Sequence, residues 1–240
     1  MAPRTDDLSM NYLITPPNTH YDGGLGITAC NFSRASDILK KHNNSMDGIL
    51  PLCYLQRHAI ELFLKSLIVI LHRKFQVPYG PGFSFEKPAI QVQKKWVPLS
   101  NTHNILDLYQ HFTSIYTGLI GKLPATTCWD LPNDIERKIK LISGSDPKST
   151  YFRYPESTNS VQDSKKSGIQ KESLESMISK SKYSGTAFKC VLMLDQNDDV
   201  IDSYNIKSYP LPNTLTALEE LNDFFNGMHA AFRFELTNCS

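Results

Sequence analysis

The stretch YLQRHAIELFLKSLIVILHRK, Tyr54 to Lys74, decides how the whole chain is read. Its apolar residues run on for longer than a strand, with no proline or glycine among them, so it predicts a helix. At about 3.6 residues per turn, Tyr54, Arg57, His58, Glu61, Lys65 and His72 fall within an arc of roughly 100°. Leu55, Ala59, Ile60, Leu62, Phe63, Leu64, Leu67, Val69, Ile70 and Leu71 fill nearly all the rest, with Gln56 and Ser66 as interruptions. A surface helix has a wider polar face, so this pattern predicts a central helix enclosed over most of its circumference. Two readings of the polar stripe stay open. Arg57 and Glu61, and Glu61 and Lys65, are each four residues apart, the spacing of exposed helical ion pairs worth a few tenths of a kcal/mol. Alternatively the stripe lines a groove or a dimer seam, where Glu61 orients Arg57 or His58 and the cations meet a phosphate.

The chain has 240 residues, 40% hydrophobic and 20% charged, the size and composition of one globular domain with a core. A net charge of +1 gives no global field toward nucleic acid or an anionic membrane, so any such contact must use a local patch. The N-terminal MAPRTDDLSMNYLITPPN is too polar for a secretory signal, and LFLKSLIVIL is interrupted by Lys65 and too short to span a bilayer. These features predict a cytoplasmic protein without a membrane partner. Cys30, Cys53, Cys128, Cys190 and Cys239 are far apart, and no spacing of Cys and His suggests a metal site or a disulfide framework. Nucleotide loops, HExxH and nucleophile-elbow motifs are missing. No metal or cofactor is expected.

Residues 1–30 read as an irregular arm, with Pro16, Pro17, Gly23, Gly24 and Gly26 in it; GGLG there reads as a turn rather than a phosphate loop. Residues 31–240 read as a single domain, mainly α with small β-hairpin insertions near 77–98 and 187–206. Its helices are expected from Asn31 or Ser33 through RASDILKKH, in the opening stretch, in NTHNILDLYQHFTSIYTGLI with Asn101 or Thr102 as cap, in PNDIERKIKLIS, and in NTLTALEELNDFFNGMHAAFRFEL, where Leu218, Leu221, Phe225, Met228 and Phe232 recur at helical intervals. His103 reads as a capping or hydrogen-bonding residue, or one that faces the Arg57 stripe. In YFRYP, alternation sends Arg153 opposite Phe152 and Tyr154, either to pair with Glu61 or to bind phosphate beside aromatic rings. His229 and Arg233 share a helix face, read as a solvated edge, and His72, Arg73 and Lys74 suit the negative end of the opening helix.

Three separated segments, LPLCYLQRHAIELFLKSLI, NTHNILDLYQHF and SDPKSTYFRYP, resemble in sequence and order the helical domains of the HEPN superfamily, in which a helix of the RHAIEL type is followed by one of the HxLxxL type. The resemblance covers roughly residues 50 to 155 and the closing helix. It implies a HEPN-like helical bundle that forms a homodimer or larger homo-oligomer. It also implies an effector of a bacterial defence or toxin–antitoxin system, with RNA as substrate and a protein partner from the same system. In many members such domains cut RNA without a metal. On that reading Arg57, His58 and Glu61 are the catalytic residues: His58 moves the proton, Arg57 steadies the transition-state phosphate and Glu61 holds one of them. Lys65, His103 and Arg153 supply substrate contacts. Many catalytic members carry an Arg and a following His with four to six residues between them, and this chain has no such pair; Arg34 and His42 have seven residues between them. A non-catalytic module that binds a nucleotide, a nucleic acid or a protein partner is the alternative.

Overall fold

In the computed structural model the described residues are 15–42, 48–154, 160–164, 166–185, 187–206 and 211–237. Most of them are helical. Helix α1 is Leu25–His42, α2 is Ile49–Lys74, and a hairpin of β1 (Ala89–Val92) and β2 (Lys95–Pro98) follows. Next come α3 (Ile105–Leu119), α4 (Ile135–Ser145) and a short α5 (Ser160–Ser164). Strand β3 (Ile169–Lys171), helix α6 (Leu174–Ser184), and strands β4 (Lys189–Leu194) and β5 (Val200–Ile206) lead to the closing helix α7 (Pro212–Thr237). The architecture is thus mainly α with small antiparallel sheets: β1 pairs β2, and β5 lies between β3 and β4.

Helix α2 is the axis of the bundle, with α1, α3 and α7 packed around it and α4 set against α7 and α3. Every residue from Ala59 to His72 is buried. This follows from the wheel: apolar side chains leave α2 in nearly every direction, so partners must cover it all round. Phe63, Phe112, Phe225 and Phe232, from α2, α3 and α7, are fully enclosed in one cluster. No helix among the described residues is long and apolar enough to cross a membrane.

Helix α1 starts at Leu25, well before Asn31, because Asp22 organises its first turn. The Asp22 carboxylate accepts hydrogen bonds from the backbone N–H groups of Gly24 at 3.0 Å and Gly26 at 2.8 Å, satisfying donors that a helix start leaves unpaired. Ser66 Oγ of α2 donates to the same carboxylate at 2.5 Å, and His229 Nε2 of α7 lies 3.6 Å from it. Burial pushes the Asp22 carboxyl up, but the nearby His229 ring and the hydrogen bonds from Ser66 and Gly26 outweigh it and hold the pKa well below the usual range. The GGLG segment is therefore a turn running into α1, with the N–H groups of Gly23, Gly24 and Gly26 taken by the chain itself. Gly26 is required there, since a Cβ would lie 1.9 Å from His229 Nε2. Gly26→Ala is expected to cost about 1–3 kcal/mol, read as a lower urea midpoint with an unchanged slope.

Several expected details change. Asn104, not Asn101 or Thr102, caps α3: its Oδ1 accepts from Leu106 N–H at 2.9 Å. Helix α2 begins at Ile49, with Pro51 in the first turn, where its missing N–H costs nothing. Of the hairpin expected near 77–98, only Ala89–Val92 and Lys95–Pro98 form strands; the alternating FSFE, residues 83–86, is irregular chain and bend. His229 and Arg233 are buried against the core, not on a solvated edge.

The end of α2 holds a second departure. His72 is buried rather than displayed to the helix dipole. Its Nδ1–H donates to Val77 O at 2.8 Å, so Nε2 is left as an acceptor, 3.3 Å from His111 Nε2. His111 Nδ1 accepts from Gln91 N–H of β1 at 3.2 Å, which puts its proton on Nε2, aimed at His72. Both rings are neutral in this chain of bonds. Burial lowers the pKa of His72, and burial followed by the His72 charge pushes His111 down to about 4. Unfolded imidazoles titrate near 6.5. The pair's contribution is therefore fully present above that pH and lost as pH falls from there toward 4. Chemical denaturation at pH 7.5 and 4.5 should show a loss on the order of 2–3 kcal/mol, and His111→Gln should flatten that dependence.

Candidate active site

The stripe of α2 is neither a solvated ladder nor an open groove; its charged part is an interior cluster. Arg57 has no exposed surface. Its guanidinium meets three groups: Nη1 donates to Glu61 Oε2 at 2.8 Å, Nε lies 3.1 Å from Asp146 Oδ2, and Nη2 donates to the backbone oxygen of His103. Glu61 is equally enclosed. Its other oxygen, Oε1, accepts from Lys65 Nζ at 2.9 Å and from His103 Nδ1 at 2.9 Å. Two cations and two carboxylates, Arg57 and Lys65 with Glu61 and Asp146, balance inside the fold. Burial raises the Glu61 pKa, but Lys65 and Arg57 outweigh it and the net shift is downward, so Glu61 stays ionised at neutral pH.

Asp146 had no place in the sequence-based site. It follows α4, and its Oδ1 accepts from Thr150 N–H at 2.7 Å and Tyr151 N–H at 3.0 Å. One carboxylate thus ties Arg57 to the turn that carries Arg153. The signal for it was the aspartate of SGSDP, residues 143–147, a segment whose turn residues explain it without any partner on α2.

Above the buried tier lies a solvent-facing one. The His103 side chain is 48% exposed, although its Nδ1 is held by a carboxylate that is almost wholly buried. Because a carboxylate only accepts, Nδ1 carries the proton and Nε2 of the neutral ring keeps its lone pair. Arg153 is exposed, with its guanidinium 5.1 Å from the centre of the Tyr54 ring. Residues 151–153 form a turn, with Phe152 buried and Tyr154 exposed, so Arg153 does not alternate as in a strand and makes no pair with Glu61. His58 is stacked on Tyr54 at 5.8 Å and meets Phe32 edge-on at 4.5 Å. Burial lowers its pKa, Glu61 opposes that, and Arg153, Arg57 and Lys65 add to it, so the ring is neutral at pH 7.

All six residues read from the sequence therefore meet in one neighbourhood, but with changed parts. Arg57 and Lys65 are enclosed and engaged by the chain's own groups, so neither is presented to a substrate phosphate. Glu61 holds Arg57, Lys65 and His103 rather than His58. His103 and Arg153 are the groups that face solvent. Among the described residues no group of three or more His, Cys, Asp or Glu side chains is placed to hold a metal ion. The chain matches no family model, and no curated protein and no solved structure matches it either.

Proposed function

We propose that this protein is a HEPN-like effector of a bacterial defence or toxin–antitoxin system, a metal-independent endoribonuclease whose proton acceptor is His103. The observation that carries this reading is the hydrogen bond from His103 Nδ1 to buried Glu61, 2.9 Å long, beneath a half-exposed ring. A carboxylate fixed in this way sets the tautomer and steadies the imidazolium that forms when the ring takes a proton. Arg57 and Lys65 fix Glu61 in turn, so they position rather than touch substrate.

In the reaction, His103 Nε2 takes the proton of an RNA 2′-hydroxyl. The 2′-oxygen attacks the adjacent phosphorus, the bond to the 5′-oxygen breaks, and that oxygen takes a proton from solvent. The products are a 2′,3′-cyclic phosphate and a free 5′-hydroxyl. Arg153 supplies the charge-assisted contact to the phosphate, and Tyr54, beneath its guanidinium, offers a ring for a base. His58, neutral and half-enclosed, lines the site as a second imidazole.

Mixed RNA incubated with the full chain in excess EDTA is expected to yield fragments with 2′,3′-cyclic phosphate ends, while RNA methylated at the 2′-oxygen stays intact. Absence of cleavage by the folded protein would leave the second reading, a non-catalytic module for a nucleotide, nucleic acid or protein partner. That reading is favoured by one observation, the complete burial of Arg57.

A further inference from the structure

The sheet of β3, β5 and β4 ends on an edge that the described chain leaves open. Strand β4 is an outer strand, paired only with β5. Its four central and distal residues are all apolar and all open to solvent: Val191 is 44% exposed, Leu192 40%, Met193 50% and Leu194 49%. Val200 and Ile201 of β5 extend the apolar surface. Natural edge strands are usually blunted by a charge, a proline or a bulge. Between Lys189 and Asp195 this one has neither charge nor proline. The irregularity in the sheet inserts Ile201 into β5, where Leu194 pairs Val200 and Met193 pairs Asp202, so β4 itself stays regular.

We infer that β4 pairs antiparallel with β4 of a second copy of this chain, about a two-fold axis at Leu192, to make one continuous six-stranded sheet. The register follows from charge and polarity. With Leu192 opposite itself, Val191 meets Met193, Cys190 meets Leu194, and Lys189 at one end meets Asp195 at the other. Apolar side chains then oppose apolar ones and each cation opposes an anion, twice by symmetry. An axis at Val191 would set Lys189 against Met193, and an axis at Met193 would set Asp195 against Val191. Lys189, Val191 and Met193 share one face of the sheet and Cys190 and Leu192 the other, so pairing covers apolar surface on both faces. The interface lies in the sheet, apart from the His103 cluster, and does not depend on that cluster's chemistry.

Sedimentation velocity of the full chain over a range of about 1 to 100 μM should show a dimer. Leu192→Arg should leave only monomer, and Lys189→Glu, which creates two like-charge pairs, should weaken association about tenfold. In a chain with Cys128→Ser, Cys190→Ser and Cys239→Ser, Leu192→Cys should form a disulfide-linked dimer on mild oxidation, whereas Val191→Cys should not, because only the residue on the axis meets itself. A protein that stays monomeric at all concentrations would overturn the inference, β4 then being left to a strand of a different protein. A dimer indifferent to Leu192→Arg would also overturn it, placing the interface on another face.

Discussion

Arg57→Ala is expected to lower the stability of this protein by about 3–5 kcal/mol, the largest single-residue loss outside the aromatic core. The reason is what the substitution leaves behind. Glu61 and Asp146, each about 1% exposed, would keep their charges with Lys65 alone to answer them, and the backbone oxygen of His103 would lose its donor. Arg57→Lys should recover little, because one ammonium cannot reach Glu61, Asp146 and the His103 carbonyl as a planar guanidinium does. Urea unfolding followed by far-ultraviolet circular dichroism measures the loss. If Arg57→Ala unfolds within about 1 kcal/mol of the native chain, as surface changes do, the buried tier does not exist as described.

His103→Ala has the opposite signature. The residue's structural contribution is its backbone oxygen, which accepts from Arg57 and survives the substitution. Its half-exposed ring gives up one bond to Glu61, which keeps Arg57 and Lys65. Stability should therefore change by less than about 1 kcal/mol, while RNA cleavage in EDTA should fall by roughly 10²–10⁴-fold, the usual value of a positioned general base. Cleavage that survives His103→Ala in a folded protein assigns the proton transfer elsewhere, and Arg153→Ala then becomes the next comparison.

Much of the fold was readable because α2 carries its own evidence. A helix apolar over most of its circumference has to be central, and the closing helix and α3 repeat apolar residues at spacings that need it. Strand β3 was not readable: Ile-Gln-Lys lies in a Ser/Lys-rich segment, and only pairing with β5 makes it a strand. The stripe was found on the wheel, yet its burial was not, because an i,i+4 ladder looks the same whether water or Asp146 lies beyond it. Asp146 and the His103 carbonyl are remote in sequence from α2, and nothing in the composition of either segment points to the other. His72 and His229 were misplaced for the same reason. Each sits on a helix face that could equally meet solvent, and each instead faces a group from another element: His72 bonds to His111, and His229 lies 3.6 Å from the Asp22 carboxylate.

The central claim is that a buried carboxylate holds a solvent-facing imidazole in the state that accepts a proton. Nitrogen-15 NMR of the His103 ring in the full chain at pH 8 tests it directly. The account predicts a protonated Nδ1 and an unprotonated Nε2, with the preference lost in Glu61→Gln; a ring protonated on Nε2 in the native chain would contradict it.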